Sequence, residues 1–255
     1  MARSPERRCA RHIRPALHSK HASDDGEPAQ RLGVHHARRA AAAPQCAHPV
    51  RWEHPYQNRI PTVAILDNLF AAHEIGPTVA IFVDNGGQAR NVDLNFSDPF
   101  LAFLTDELLP WAQREYHFTA DAARTALGGD SICGLFGAYA ALRRPDIFGE
   151  VLGQSAALQF NNSHATDDNK ASEWLVRQFE QAPKLKVTFY LEVGLMEDRT
   201  SPGSNVTLLS SNRRLRDVLR TEGYDVRYRE VYADHDPLHW RRTLPDALMA
   251  LFPPS

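Results

Sequence analysis

From about Arg59 onward, the apolar residues of this 255-residue chain alternate between a period of two and a period near 3.6, and that alternation most limits its fold. The best strand signal is Val187-Thr188-Phe189-Tyr190-Leu191-Glu192-Val193, with further strand signals over residues 78–83, 125–127, 151–154 and 226–231. Helical faces fall between them. Val63, Leu66, Leu69 and Phe70 share one face ahead of the Gly76-Pro77 stop, and Phe100, Leu101, Leu104 and Leu108 mark a second helix ending near Pro110-Trp111. A helix runs from Ser131 to Arg143 before Pro145, another carries Trp174 and Leu175, and Leu208, Leu215, Val218 and Leu219 define one closed by Gly223. Leu244, Leu248 and Leu251 form the last. Strands alternating with helices predict an α/β fold, a mostly parallel sheet flanked by helices on both faces.

The first 57 residues have another texture. They hold seven of the 12 histidines, ten Lys and Arg against five acids, and the run Arg38-Arg39-Ala40-Ala41-Ala42-Ala43-Pro44, with almost no recurring apolar period. The expected division is therefore a disordered or non-homologous segment over 1–57 and one domain over 58–255. Scattered basic residues with few aromatics between them argue against a nucleic-acid arm. With 29 Lys and Arg against 31 Asp and Glu, the whole chain offers no electrostatic reason to bind nucleic acid or an anionic membrane. No apolar run reaches 18 residues and no secretory signal is visible, so the expected location is cytoplasmic. Cys9, Cys46 and Cys133 lie far apart, without a C-x-x-C pair or a disulfide framework, and Cys133 reads as a packing residue. His235 and His239 have helical zinc spacing but no third ligand, so no metal or other cofactor is expected.

Three loops after strand ends carry the chemistry. Gly129-Asp130-Ser131-Ile132-Cys133-Gly134 places one serine between a strand and a helix, close to the G-x-S-x-G nucleophile elbow, with the backbone N–H of Ile132 aimed at a developing oxyanion. Gly194-Leu195-Met196-Glu197-Asp198 follows the best strand, and Ala233-Asp234-His235-Asp236 follows the last. Ser, then acid, then His is the order of the α/β-hydrolases. A serine hydroxyl needs an imidazole to accept its proton, and the imidazole needs a carboxylate to hold its tautomer. Ser131 and His235 fill two of these roles. Spacing leaves the third open between Glu197 and Asp198.

Together with Arg143-Arg144-Pro145-Asp146-Ile147-Phe148-Gly149, Gln154-Ser155, His235-Asp236 with Trp240-Arg241, and Asp84 with Arg90-Asn91-Val92-Asp93-Leu94, these residues resemble the enterochelin (iron-siderophore) esterase group of the esterase D-like α/β-hydrolases. The resemblance spans roughly residues 59 to 252. It implies an α/β-hydrolase-type fold and a serine hydrolase that cleaves the esters of a catecholate siderophore or its ferric complex. It also implies Glu197 as the acid and Arg90 as the residue facing the anionic ligand. The partner it implies is a small-molecule ester. Two other readings stand beside it, a general acyl or feruloyl-type esterase and a degenerate, inactive hydrolase-like protein.

Three departures from the family pattern carry expectations. Asp234 stands where the family has glycine and is expected to crowd the turn or raise the pKa of a neighbouring imidazole, and Cys133 stands at the glycine position two residues after the serine, where its volume is expected to press on the close strand–helix contact. A Leu-Leu-Asp-Gly strand and loop, expected upstream of Thr62 and placed between the strands at Thr78 and Thr125, is missing, which reads as an N-terminally incomplete copy. Such a loop supplies the second oxyanion donor, so impaired activity is expected, by about a hundred- to a thousandfold.

Overall fold

The computed structural model describes the backbone of residues 31–36 and residues 59–84, 89–116, 118, 121–162, 172–200 and 205–254. The remainder of the segment 1–57, with Cys9 and Cys46, lies outside the described residues.

Four parallel strands form the main sheet in the order β3 (Ala126–Asp130), β4 (Glu150–Gln154), β5 (Thr188–Gly194) and β6 (Asp225–Val231), once β1 (Arg31–His36) and β2 (Val79–Asp84) are counted ahead of them. The helices, in chain order, are α1 (Thr62–Ala71), α2 (Ala89–Asp93), α3 (Asp98–Ala102), α4 (Leu109–Tyr116), α5 (Ile132–Arg143), α6 (Trp174–Gln181), α7 (Leu208–Thr221) and α8 (Pro237–Leu251). A π-helical turn over Phe103–Leu108 joins α3 to α4. The expected second helix is thus longer than its apolar face suggests, and Pro110 sits in the first turn of α4, where its missing N–H costs little.

Burial follows strand position. Inner strand β5 is buried at every residue after Thr188, which is why it reads as a continuous apolar run. Edge strand β6 alternates, with Asp225, Arg227 and Arg229 exposed, and such charges discourage edge pairing with another sheet. Helices cover both faces. On one, Leu135 and Phe136 of α5, Phe179 of α6 and Leu215 of α7 pack into a large apolar cluster with Val151 and Phe189. On the other, Leu66 of α1 and Trp240, Leu244 and Leu248 of α8 form a second, with Ile60 and Ile75. The helix ends are specified locally. Thr207 and Ser210 make a reciprocal capping box on α7, and Asp236 caps α8 by accepting from Leu238 N at 2.7 Å, ahead of Pro237 in the first turn.

The sheet is split. Strand β2 pairs antiparallel with β1, from Arg31 opposite Asp84 to His36 opposite Val79, and among the described residues no strand joins β2 to β3. Leu32 and Val34 alternate with Gly33 and His35 in β1, a run too short to stand out among its basic surroundings. Nevertheless β2 lies between the same two helical layers as the main sheet. Val79, Ile81 and Val83 pack against the first apolar cluster, and Ala80 and Phe82 against the second.

One carboxyl bears on stability. Burial at the start of β4 raises the Glu150 pKa to about 7, against the partial relief of Arg227, and its Oε2 has no hydrogen-bond partner among the described residues. A carboxyl raised in the folded state binds more protons there than in the unfolded chain, so stability falls as pH rises from the ordinary carboxylate range through about 7. Glu150→Gln therefore stabilises the protein at pH 8, by about 1 kcal/mol once solvent screening of this half-buried side chain is allowed for, and much less at pH 5. Chemical denaturation at the two pH values checks this, and an equal gain at both would contradict the assignment.

Candidate active site

Ser131 ends the run from β3 into α5 with φ 52° and ψ −119°, a conformation uncommon for any residue but glycine. Its backbone is held from three sides. Ser131 N donates to Gln154 O at 2.9 Å, while Ser131 O accepts from Leu135 N at 3.2 Å and Ala157 N at 3.0 Å. Such over-determination is what allows a strained turn to persist. Ile132 opens α5, whose first turn receives no capping bond from the Ser131 side chain, so the positive end of the helix stays directed at the serine.

The glycine that comes one residue late in the motif has a packing reason. A Cβ on Gly134 would lie 2.9 Å from Ala156 Cβ and 3.0 Å from Gly129 O, and one on Gly137 would lie 2.5 Å from Leu127 O. Close helix–strand contact therefore runs through Gly134 and Gly137, not through position 133. The Cys133 side chain is turned instead toward Arg90, whose Nη1 lies 3.5 Å from its sulfur. The expectation that Cys133 presses on the strand–helix contact is corrected on this point. Burial pushes the Cys133 thiol up to about 11, against the lowering influence of Arg90, so it stays protonated and unreactive at neutral pH. Arg90 itself is half-buried on α2 and reaches the neighbourhood of the serine turn through this contact.

The loops after β5 and β6 meet. Leu195 N donates to Val231 O at 2.8 Å and Met196 N to Ala233 O at 3.0 Å, which brings Glu197 to His235. Glu197 Oε1 lies 2.5 Å from His235 Nδ1, and Glu197 Oε2 accepts from Gly194 N at 2.7 Å. The carboxylate is buried, whereas Asp198 is exposed. Glycine is required at 194, because a Cβ there would stand 2.4 Å from Ala233 O. Asp234 does not crowd the turn. Its carboxylate accepts from His235 N at 2.8 Å, and its carbonyl lies 3.3 Å from His239 Nδ1.

Support beneath His235 comes from residues the sequence pattern left without a role. The Trp240 ring stands edge to face against the His235 ring, with centroids 4.8 Å apart, and its Nε1 donates to Ser155 Oγ at 3.0 Å. Ser155 has φ 51° at the end of β4, a twin of Ser131 on the neighbouring strand. Deeper still lies Glu192, fully buried, whose carboxylate accepts from Gln154 Nε2 at 2.9 Å, from Thr243 Oγ1 and from Tyr190 OH at 3.3 Å. His239 Nε2 lies 3.3 Å from the same carboxylate without hydrogen-bond geometry. The clue was available, since a carboxylate inside an apolar strand must be paired.

This buried pair carries a stability prediction. Burial depresses the His239 pKa, but the Glu192 carboxylate outweighs it and holds the imidazole above its ordinary value. A histidine raised by its partner contributes stability that is complete below the unfolded pKa and lost as pH rises through the folded one. Glu192→Ala removes the acceptor of Gln154, Thr243 and Tyr190 together with the charge beside His239, and costs about 3–5 kcal/mol. Urea titrations at pH 6 and pH 9 check both points, with the smaller cost expected at pH 9.

Among the described residues, no three His, Cys, Asp or Glu side chains are grouped to hold a metal ion, and no helix is long and apolar enough to cross a membrane. A nucleophile-type serine turn, a carboxylate–imidazole pair on the loops of two further strands, and a helix N-terminus at the serine are the kinds of group that acyl-transfer chemistry uses. A family model described as putative esterase matches residues 53–251. The chain belongs to the esterase family. It is 31% identical over 194 residues to an iron(III) enterobactin esterase of Dickeya dadantii, which covers 73% of this chain and 43% of that esterase. The corresponding enzyme of Escherichia coli K12 is 26% identical, over 76% of this chain and 46% of its own length. The chain thus spans less than half the length of these two relatives. Among solved structures, the enterobactin esterase of Shigella flexneri crystallised in the presence of enterobactin has a TM-score of 0.70 at 23% identity, covering 87% of this chain and 55% of that one. A ferulic acid esterase has a TM-score of 0.62 at 20% identity, over 77% of this chain and 78% of that one. These two likenesses show the α/β-hydrolase fold that the strand–helix alternation and the Ser, acid, His order predict.

Proposed function

We propose that this esterase cleaves the ester bonds of a catecholate siderophore of the enterobactin type, free or as its ferric complex, by a serine mechanism. The observation that carries the reading is the hydrogen bond between Glu197 and His235 Nδ1, which leaves the imidazole Nε2 as the proton acceptor. Ser131 Oγ attacks the ester carbonyl as its proton passes to His235 Nε2. The oxyanion forms at the N-terminus of α5, where the Ile132 N–H donates to it. The imidazolium then protonates the departing alkoxide, and water hydrolyses the acyl-serine by the same steps. Arg90, beside the serine turn, supplies positive charge to catecholate oxygens. The similarity to enterobactin esterases supports this substrate class over a plain acyl ester.

Incubating the protein with enterobactin, ferric enterobactin and p-nitrophenyl butyrate, with chromatographic detection of dihydroxybenzoylserine, tests the reading. Faster turnover of the trilactone than of the butyrate ester is expected. Hydrolysis of the butyrate ester alone would assign a general acyl esterase, and hydrolysis of neither would leave a hydrolase fold without the activity.

A further inference from the structure

The end of β4 holds the serine turn and Trp240 at once. Gln154, whose carbonyl accepts from Ser131 N at 2.9 Å, donates its side-chain Nε2 to Trp240 O at 3.0 Å. The next residue, Ser155, accepts from Trp240 Nε1 at 3.0 Å, and Ala157 donates to Ser131 O at 3.0 Å. Trp240 is thus fixed at its backbone and at the polar tip of its ring by the same short segment that holds the Ser131 backbone. Ser155 is fully buried, with φ 51°. Residues other than glycine keep such a conformation only where the surroundings fix it, and these positions concentrate at functional sites.

The other end of this chain of contacts is His235. Its imidazole stands at 88° to the Trp240 ring, with centroids 4.8 Å apart, the edge-to-face arrangement that aromatic pairs favour. The contact answers a need. The His235 side chain lies on a loop and is 37% exposed, and the bond from Nδ1 to Glu197 places one ring atom while leaving χ1 and χ2 room to vary together. Trp240 closes that freedom from one side. Its own tilt is set by more than packing, because an indole N–H in the apolar cluster around it would be a buried donor without the Ser155 hydroxyl.

We propose that Ser155 and Trp240 form a strut that sets His235 Nε2 relative to Ser131 Oγ, which makes both of them positioning residues for the proton transfer. The proposal rests on the esterase reading of the site and adds two residues that act through His235. Ser131 follows β3 and His235 follows β6, so two loops on separate strands must agree in position. Keyed to one segment of β4, they do, and a misplacement of about 1 Å between such groups costs on the order of a hundredfold in rate.

Four variants test the strut: Ser155→Ala, Trp240→Phe, the two combined, and Trp240→Leu. Each is assayed on p-nitrophenyl butyrate and on enterobactin well below its melting temperature. The His235 imidazole is followed by NMR of histidine-labelled protein, its signals assigned with His235→Gln. Ser155→Ala and Trp240→Phe are each expected to lower kcat about tenfold with KM within about twofold, and the combined variant no further, because all three lose the same bond. Trp240→Leu removes the ring as well and is expected to lose about a hundredfold, so the conservative Trp240→Phe recovers about tenfold relative to it. The imidazole signals shift in every variant. Ser155→Ala deletes a single oxygen and keeps the test open should Trp240→Leu fail to fold. Losses that fall on KM, losses that multiply in the combined variant, or kcat within about twofold of the parent in both single variants would overturn the proposal and reduce Trp240 to a core residue. A parent protein that turns over no ester would remove the esterase reading alone. The imidazole signals would then decide the strut, upheld if Ser155→Ala moves them and overturned if it does not.

Discussion

Ser131→Ala lowers kcat on any ester this protein turns over by about 10⁴- to 10⁶-fold and leaves the melting temperature within about 2 °C. The size of the loss follows from the way a nucleophile and its base act as a unit: removing the serine alone costs nearly as much as removing the whole set. Its selectivity follows from the local structure. Serine and alanine share the penalty of φ 52°, and the turn is held by the backbone bonds to Gln154, Leu135 and Ala157, none of which involves the hydroxyl. What remains in the variant is the helix N-terminus and substrate binding. Steady-state kinetics beside a thermal melt checks both halves, and turnover within tenfold of the parent protein would remove Ser131 from the mechanism.

The second large effect is expected from Glu197→Gln, about 10⁴-fold in kcat with KM little changed. Gly194 N donates to Glu197 Oε2 at 2.7 Å, and it will claim the single oxygen of a glutamine amide at that position. The amide nitrogen is then left facing His235 Nδ1, where it donates instead of accepting. That fixes the imidazole with its proton on Nε2, the wrong tautomer to receive one from Ser131. Asp198→Asn is the control, because Asp198 is exposed, and it should change kcat by less than about twofold. A large loss at Asp198 with none at Glu197 would exchange the two assignments.

Much of this geometry could be read from local pattern. The strand–helix alternation gave the main sheet and its flanking helices because β3 to β6 are parallel and each is followed by its own loop and helix or turn, so period alone separates them. Ser131, His235 and the pair Glu197 and Asp198 stood out as polar residues at strand ends. What local pattern could not choose was which acid turns inward. The choice depends on the contact between the loops after β5 and β6, through Leu195 to Val231 and Met196 to Ala233, residues more than thirty apart in sequence. Glycine at position 134 looked like an imperfect motif until its neighbours Ala156 and Gly153 were in place, since the close approach is to a strand that comes later in the chain. Strand β1 was hidden for another reason. Six residues with two apolar side chains carry little signal, and their partner β2 lies more than forty residues away. The network around Glu192 was half visible, as an isolated acid in the most apolar strand, but its partners Gln154, Thr243 and His239 come from β4 and α8.

The positive φ of Ser131 limits what chemistry can replace it. Threonine carries the same hydroxyl, yet its branched Cβ makes φ 52° a severe steric outlier. Substitution at this turn is therefore filtered by shape before reactivity. Among residues that bring a hydroxyl or thiol, only serine and cysteine have an unbranched one-carbon stem, so the turn admits an oxygen or a sulfur nucleophile of one length and closes the route to any other.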